Sequence, residues 1–226
     1  MKDQNLNPWD ELNRQKLSQM ALRKIERAKS PHKQPSLSLA PRSQRLPPGQ
    51  ELTGKFPVLD LGDQPNLSTN DWSLSIQGCV EHPISWDWNE FQGLKRNQVQ
   101  CDIHCVTNWS RFDNLFEGVS TQTIANHVKP TSEAKFVLLR SYDGYSTNLP
   151  LKDFLSEYAL IADRWNGEPL SREHGGPVRF MLPHLYFWKS AKWIRQIVFR
   201  KDDHPGFWEV RGYHNYGDPW KNQRFK

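Results

Sequence analysis

The segment QCDIHCVTNWS at residues 100–110 is the most informative stretch of this 226-residue chain. Apolar residues and cysteines alternate with polar residues from Val99 to Cys105, which predicts a strand with side chains on two faces. The Thr-Asn pair that follows is typical of a turn. Cys101 lies within this strand and is expected to be a small core residue. Cys105 stands at its end, where a side chain can face a cavity, although a structural thiol is the alternative there.

The same segment first suggests a zinc site, because two cysteines and a histidine lie close together in sequence. In an extended strand rising about 3.3 Å per residue, Cys101 and Cys105 lie roughly 13 Å apart on one face. Two ligands that each sit about 2.3 Å from one zinc ion must lie far closer than that. His104 points to the opposite face of the strand. The spacing therefore argues against zinc.

The composition of the whole chain predicts a folded protein whose net charge comes from one end. Hydrophobic residues make up 36% and aromatic residues 12%, which disordered chains lack. Residues 1–50 hold ten of the 30 Lys/Arg and four of the 25 Asp/Glu, so the remaining 20 basic and 21 acidic residues nearly cancel. A basic tail of this kind does not by itself predict nucleic-acid binding. We therefore expect no nucleic-acid partner.

The N-terminal residues have no apolar stretch of the kind found in export signals, and no apolar run in the chain is long enough to span a bilayer. We therefore expect a cytoplasmic protein without a membrane span. In that compartment the three cysteines would be reduced, and an odd number also argues against a disulfide framework.

Two units are expected along the chain. Residues 1–50 comprise an amphipathic helix at 9–28 and a linker rich in Pro, Ser and basic residues at 30–50. Residues 51–226 comprise the domain. Within it, the patterns predict strands near 72–78, 99–105, 135–139, 178–182 and 193–199, and helices near 120–127 and 151–161. Strands and helices that do not alternate regularly favour an α+β fold.

Four motifs resemble, in order, segments of the sulfite-oxidase-like molybdopterin oxidoreductases. They are CVTNWS at 105–110 followed by FDNLFEG at 112–118, GYSTNLPL at 144–151, HGGPVR at 174–179, and PHLYFWKSAKW at 183–193. The likeness runs from about Leu52 to the C-terminus and is closest to the small single-domain bacterial members. It implies an α+β, mixed-sheet molybdopterin-binding domain of the sulfite-oxidase type with an N-terminal helical extension, and a molybdenum-molybdopterin cofactor.

The resemblance also implies roles for particular residues. Cys105 is the expected catalytic residue, because its thiolate is the protein's ligand to the metal. The expected cofactor-binding residues are Ser141, His174, Arg179, Ser190, Ala191 and Lys192. Of these, the guanidinium of Arg179 suits bidentate contact with a phosphate, and Lys192 adds a point charge. Lys189 is a weaker candidate.

The chain departs from true sulfite oxidases just after the ligand cysteine. Those enzymes have paired arginines there that help to bind an anionic substrate, whereas this chain has Asn108, Trp109 and Ser110. The departure favours oxygen-atom transfer on a small neutral S-oxide or N-oxide over sulfite oxidation, with Arg111 as the group that could restore anion binding. The chain has no haem-binding motif, so a separate electron-transfer partner is expected.

Besides sulfite oxidation, two other functions stay open at this stage. The chain could bind a pterin cofactor as a non-catalytic carrier, or its tail and aromatic residues could bind nucleic acid. The aromatic, turn-rich run at 206–220 could wall a substrate funnel or pack over the domain as a strap.

Overall fold

Two mixed β-sheets carry the fold in the computed structural model, which describes residues 45–62 and 64–226. The strands in these ranges are β1 (Glu51–Leu52), β2 (Ser73–Gly78), β3 (Ile84–Asp87), β4 (Arg96–His104), β5 (Trp109–Ser120), β6 (Phe136–Ser141), β7 (Ser146–Pro150), β8 (Leu160–Trp165), β9 (Glu168–Pro169), β10 (Arg179–Met181) and β11 (Ile194–Arg200). The helices are α1 (Trp88–Gln92), α2 (Thr121–Val128) and α3 (Leu151–Phe154), with short 3-10 turns at Arg172–His174, Phe187–Lys189 and Glu209–Arg211. The α+β class expected from the sequence is confirmed.

The first sheet is built around β5, the 12-residue strand that follows residues 105–108. Strand β4 pairs antiparallel along one edge of β5, while β1 pairs parallel with its beginning and β8 antiparallel with its end. Strands β9 and β10 add to β8. Strand β1 pairs with Trp109 and Ser110 at the start of β5. The beginning of the described chain therefore lies beside the turn of the β4–β5 hairpin.

The second sheet has the order β3-β2-β11-β6-β7, in which only the β2–β11 pair is parallel. Its inward residues, including Leu74, Ile76 and Ile197, belong to the larger hydrophobic core, with Phe154 of α3 and Phe180 of β10 stacked within it. A smaller core that includes Val99, Ile103 and Phe116 lies against the first sheet. Burial of these apolar side chains is the main stabilising contribution to the fold.

The predicted strands and the predicted helix at 120–127 lie close to their expected positions. Residues 151–161, however, do not form one helix. The helix ends at Phe154, and Leu160 begins β8, where Leu160, Ile161 and Ala162 are fully buried between β5 and β10. A short apolar run is compatible with a buried strand or a helix, and pairing with both neighbours favours the strand here. Strand β5 itself had not been predicted.

The predicted helix at 9–28 lies outside the described residues, as does the predicted linker except for residues 45–50, which form turns ahead of β1. Within the described ranges, no helix combines the length and apolar character that crossing a bilayer requires.

Candidate active site

Cys105 lies in the tight hairpin that joins β4 to β5, in residues 105–108, which we call the ligand loop. The Cys105 N–H donates to the Trp109 carbonyl at 2.8 Å, and the Asn108 N–H donates to the Cys105 carbonyl at 3.1 Å. Asn108 adopts a positive φ of 70°, a conformation that asparagine tolerates better than most residues. The Cys105 thiol is 5% exposed and lies 3.2 Å from the Thr107 hydroxyl. The loop thus holds a buried thiol at the wall of a cavity.

The other strand cysteine, Cys101, differs in surroundings from Cys105. A bulge between Cys101 and Ile103 interrupts the regular pairing of β4 with β5. Cys105 belongs to the larger core, whereas Cys101 packs against the smaller one. Cys101 is only half-buried and packs at the edge of the smaller core, so the expectation that it is a core residue is wrong in part. Burial still raises the pKa of the Cys101 thiol to about 12.

A cavity with a volume of about 190 Å³ lies beside the ligand loop and opens to solvent. Its walls come from five parts of the chain: the ligand loop, residues 56–61, the turn between β6 and β7, residues 173–193, and the C-terminal segment. Most of the predicted site residues line it, namely Cys105, His174, Arg179, Ser190, Ala191 and Lys192.

Arg179 is a buried cation in the wall of this cavity. Its Nη1 and Nη2 groups donate to the carbonyls of His174 and Ser190, both at 2.8 Å, while its Nε has no partner among the described residues. Burial lowers the pKa of the guanidinium to about 9, and no described carboxylate offsets that effect. A buried charge without a counterion is costly, so this wall suits an anion such as a phosphate.

His174 is held in one tautomer beside Arg179. Its Nε2 donates to the Phe56 carbonyl at 3.0 Å, and its Nδ1 accepts from the Ser171 hydroxyl at 2.9 Å. The imidazole stacks on the Phe56 ring with centroids 4.1 Å apart, and burial lowers its pKa. His174 therefore presents a neutral, oriented ring to the cavity.

Lys192 and Ser190 lie on the same wall. The Lys192 ammonium donates to the Glu173 carbonyl at 2.8 Å and lies 3.8 Å from the Asp60 carboxylate. The Ser190 hydroxyl accepts from the Leu182 N–H at 2.9 Å. The wall thus combines positive charge with a hydroxyl, as a phosphate site requires.

Ser141 and Lys189 do not line the cavity. Ser141 is buried at the end of β6, and its hydroxyl has no partner among the described residues. Lys189 is fully buried, and its ammonium lies 2.6 Å from the Glu209 carboxylate. The role expected for Ser141 stays a prediction, and the contacts of Lys189 are those of a structural ion pair.

Residues that the sequence analysis did not assign to the site also line the cavity. Phe56 and its neighbours up to Leu61 were missed, because no pattern in that segment marks it. The C-terminal run contributes Trp208 and Tyr213, whose rings stack 4.8 Å apart. The run at 206–220 therefore walls the cavity, and it also packs over the domain through Glu209.

Tyr213 presents a phenol to this cavity. The Tyr213 side chain is 2% exposed. Burial is the main cause that raises the pKa of Tyr213, and the nearby Cys105 side chain raises it further. The phenol is therefore protonated at neutral pH and can donate a hydrogen bond.

No three His, Cys, Asp or Glu side chains in residues 45–62 and 64–226 come together as a metal site.

Comparisons with known proteins agree with this geometry. The chain is 50% identical to "Uncharacterized oxidoreductase YuiH" of Bacillus subtilis (strain 168), over 81% of this chain and 93% of that protein. It is 26% identical to "Protein-methionine-sulfoxide reductase catalytic subunit MsrP" of Campylobacter jejuni, over 67% of this chain and 57% of that one. The chain thus spans little more than half the length of the second relative.

Among solved structures, sulfane dehydrogenase SoxCD from Paracoccus pantotrophus matches the fold with a TM-score of 0.59 and 18% identity, covering 66% of this chain and 42% of that one. Residues 61–208 match the family described as the oxidoreductase molybdopterin binding domain. The matched range holds the ligand loop and the wall around Arg179, so the chain belongs to this family of molybdopterin-dependent oxidoreductases.

Proposed function

We propose that this oxidoreductase transfers an oxygen atom to or from a small neutral substrate, an S-oxide or N-oxide, at a molybdenum ion held by the Cys105 thiolate. The observation that carries the proposal is the position of Cys105, a buried thiol in the wall of a cavity whose surface is mainly aromatic and apolar near the ligand loop. When bound, the cofactor supplies a redox-active metal and its dithiolene sulfur ligands.

The chain's own residues fit the rest of the cofactor. We assign its phosphate to the wall with Arg179, Ser190 and Lys192, because the buried guanidinium there has no carboxylate partner. The backbone of Ala191 lies between the last two of these residues, and the ring of His174 lines the same cavity. A thiolate at one end of the cavity and positive charge in its wall match a ligand with a metal and a phosphate.

The wall near the ligand loop favours a neutral substrate. Trp109 lines the cavity where sulfite oxidases place a guanidinium, and its ring packs against Phe56 and Phe187 with centroids 6.4 and 6.2 Å away. Arg111 does not line the cavity, because its guanidinium lies 4.7 Å from the Trp165 ring centroid and donates to Asn114. An aromatic wall without a guanidinium binds uncharged groups better than sulfite.

Tyr213 is the group best placed to hydrogen-bond a substrate oxygen. Tyr213 lines the cavity, and its raised pKa keeps the phenol protonated at neutral pH. Reduction of an S-oxide consumes two protons and two electrons and yields a thioether and water. A protonated phenol can supply a hydrogen bond as the S–O bond breaks.

The electrons require a separate donor, which we propose to be another protein. The relative from Campylobacter jejuni is named as a catalytic subunit, and that name describes one part of a larger assembly. The described residues of this chain offer no second redox centre formed by clustered metal ligands.

Steady-state kinetics on molybdenum-loaded protein test the substrate class. With an artificial electron donor, we expect kcat/KM for methionine sulfoxide or trimethylamine N-oxide to exceed that for sulfite with an artificial acceptor by at least about tenfold, the effect of one charge-assisted contact. A higher kcat/KM for sulfite than for both oxides would contradict the proposal. Arg111→Ala would then show whether that residue supplies the missing charge.

Replacement of Arg179 by alanine tests the assignment of the phosphate wall. We expect molybdenum and pterin content to fall by about 10- to 100-fold, because the buried guanidinium is the main charge facing the phosphate. Arg172→Ala is the matched control, since the Arg172 guanidinium is exposed and donates to the Gln64 carbonyl. Full cofactor content with low turnover in Arg179→Ala would place this residue in the chemical step instead.

A further inference from the structure

We infer that Gln50 and Arg224, from opposite ends of the described chain, are positioning residues that hold the ligand loop and thereby the Cys105 thiolate. The inference rests on the proposed function in one respect, the role of Cys105 as the metal's ligand. Neither residue lines the cavity, so both would act through the loop rather than on the substrate.

Gln50 fixes the backbone of Cys105 itself. Its side chain is 7% exposed, and its Nε2 donates to the Cys105 carbonyl at 3.0 Å. Its Oε1 accepts from the Ser110 hydroxyl at 3.1 Å, and Ser110 is fully buried. Because both ends of the amide are engaged, its orientation is set, and the donor stays aimed at the carbonyl of the ligand residue.

The next residue also ties the loop to the start of the chain. The Glu51 N–H donates to the Asn108 carbonyl at 2.7 Å, within the parallel pairing of β1 and β5. Residues 50 and 51 therefore bind the carbonyls of Cys105 and Asn108, the first and last residues of the ligand loop. The carbonyl of Val106 is bound by a residue from the other end of the described chain.

Arg224 provides that contact. Its Nη1 donates to the Val106 carbonyl and to the Asn108 side-chain oxygen, and its Nη2 lies 3.4 Å from the Gly49 carbonyl. Its Nε donates to the Asn222 side chain at 2.7 Å, and the guanidinium lies 5.2 Å from the Tyr186 ring centroid. One planar group thus connects the ligand loop to the N-terminal turn and to the C-terminal segment.

These contacts restrict movement of the ligand loop and so fix the direction of the Cys105 side chain. Asn108 holds a positive φ in this loop, a conformation that persists only when the surrounding structure fixes it. Hydrogen bonds from residues that do not touch the metal orient its ligands, and their loss typically costs about 10- to 100-fold in metal affinity or activity. A rotation of the loop would change the direction of the Cys105 Sγ without unfolding the domain. Gln50 and Arg224 prevent that rotation from two sides.

The test uses the full-length chain with Gln50→Met, Arg224→Met and the more conservative Arg224→Lys. The matched control is Arg211→Met, since Arg211 lies in the same C-terminal segment but stacks on Phe207, 3.8 Å from its ring centroid. The first readout is the rate of iodoacetamide alkylation at Cys105 in cofactor-free protein, followed by peptide mass spectrometry with Cys101 as the internal reference. The second is the electron paramagnetic resonance spectrum of the Mo(V) state in loaded protein.

We expect alkylation of Cys105 relative to Cys101 to rise by about tenfold or more in the Gln50 and Arg224 variants, because local opening of the loop exposes the thiol. We also expect shifted Mo(V) spectra in these variants and neither change in Arg211→Met. Arg224→Lys keeps the charge but loses the planar fork, so it tests the geometry if Arg224→Met does not fold. Wild-type alkylation and wild-type spectra in Gln50→Met and Arg224→Lys would overturn the inference.

Failure of the proposed function would look different. If Cys105→Ser protein kept the wild-type Mo(V) spectrum, Cys105 would not be the ligand, whatever the alkylation rates. If Cys105 is required for that spectrum but the positioning variants match wild type in both readouts, the inference alone fails.

Discussion

Cys105→Ser is expected to lower turnover by at least about 10³-fold, the size of effect seen when one member of a catalytic unit is removed. A serine hydroxyl remains protonated at neutral pH and is a hard oxygen donor, whereas the metal site calls for a soft thiolate. The measurements are turnover of S-oxide and the Mo(V) spectrum of the loaded protein. The buried position of Cys105 at the cavity wall is the structural basis for both changes.

Cys101→Ser is the matched control for this substitution. Cys101 lies outside the cavity lining, and burial raises the pKa of its thiol to about 12, so it is not a thiolate at neutral pH. We expect normal molybdenum content and turnover, with a free energy of unfolding lower by about 1 kcal/mol from the partly buried hydroxyl. Equal loss of activity at normal metal content in both variants would contradict the assignment of Cys105.

Lys189→Met is expected to lower the free energy of unfolding by about 3–5 kcal/mol, because it leaves a charged carboxylate without its partner in the protein interior. The Lys189 and Glu209 side chains are both 0% exposed, and the ammonium also donates to the carbonyls of Asn148 and Asn215 at 2.7 Å. The Glu209 carboxylate further accepts from Trp188 Nε1 at 2.9 Å. Urea unfolding followed by tryptophan fluorescence measures the loss.

Lys201→Met is the control for the buried pair. Lys201 and Glu133 are 3.7 Å apart, and both side chains are about two-thirds exposed, at 66% and 64%. Exposed pairs of this kind contribute about 0–1 kcal/mol. The double variant Lys189→Met/Glu209→Gln should recover part of the stability, because it removes both charges and keeps an oxygen that accepts from Trp188. Equal destabilisation by Lys189→Met and Lys201→Met would show that the buried ion pair stabilises the fold no more than an exposed one.

The sequence predicted those strands in which apolar and polar residues alternate cleanly, such as Leu74 and Ile76 in β2. It failed at β5, whose pairing shifts register once with β4 and once with β8. The prediction is also wrong at β8, whose apolar start fits the end of a helix as well as a buried strand. In both cases pairing with neighbouring strands, which no local pattern encodes, decided the conformation.

In the cavity, too, sequence motifs predicted some residues, and only the tertiary structure placed others. Ordered motifs were enough to predict that Cys105, His174, Arg179 and Lys192 belong to one site, and the cavity brings these residues together. The motifs did not separate Lys189 from its neighbours, although it lies in the same segment as Ser190. Its ammonium turns away from the cavity because the C-terminal segment places Glu209 beside it.

What the sequence by itself determined is the family, the α+β class and the type of residue at each motif position, because those depend on local order along the chain. The tertiary structure alone decided which side chains lie beside the Cys105 loop. Gln50, Phe56, Tyr213 and Arg224 come from the two ends of the described chain and have no motif that marks them. Their places follow from how the two sheets pack and how the terminal segments cross them, since contacts between residues distant in sequence form only when the core is buried.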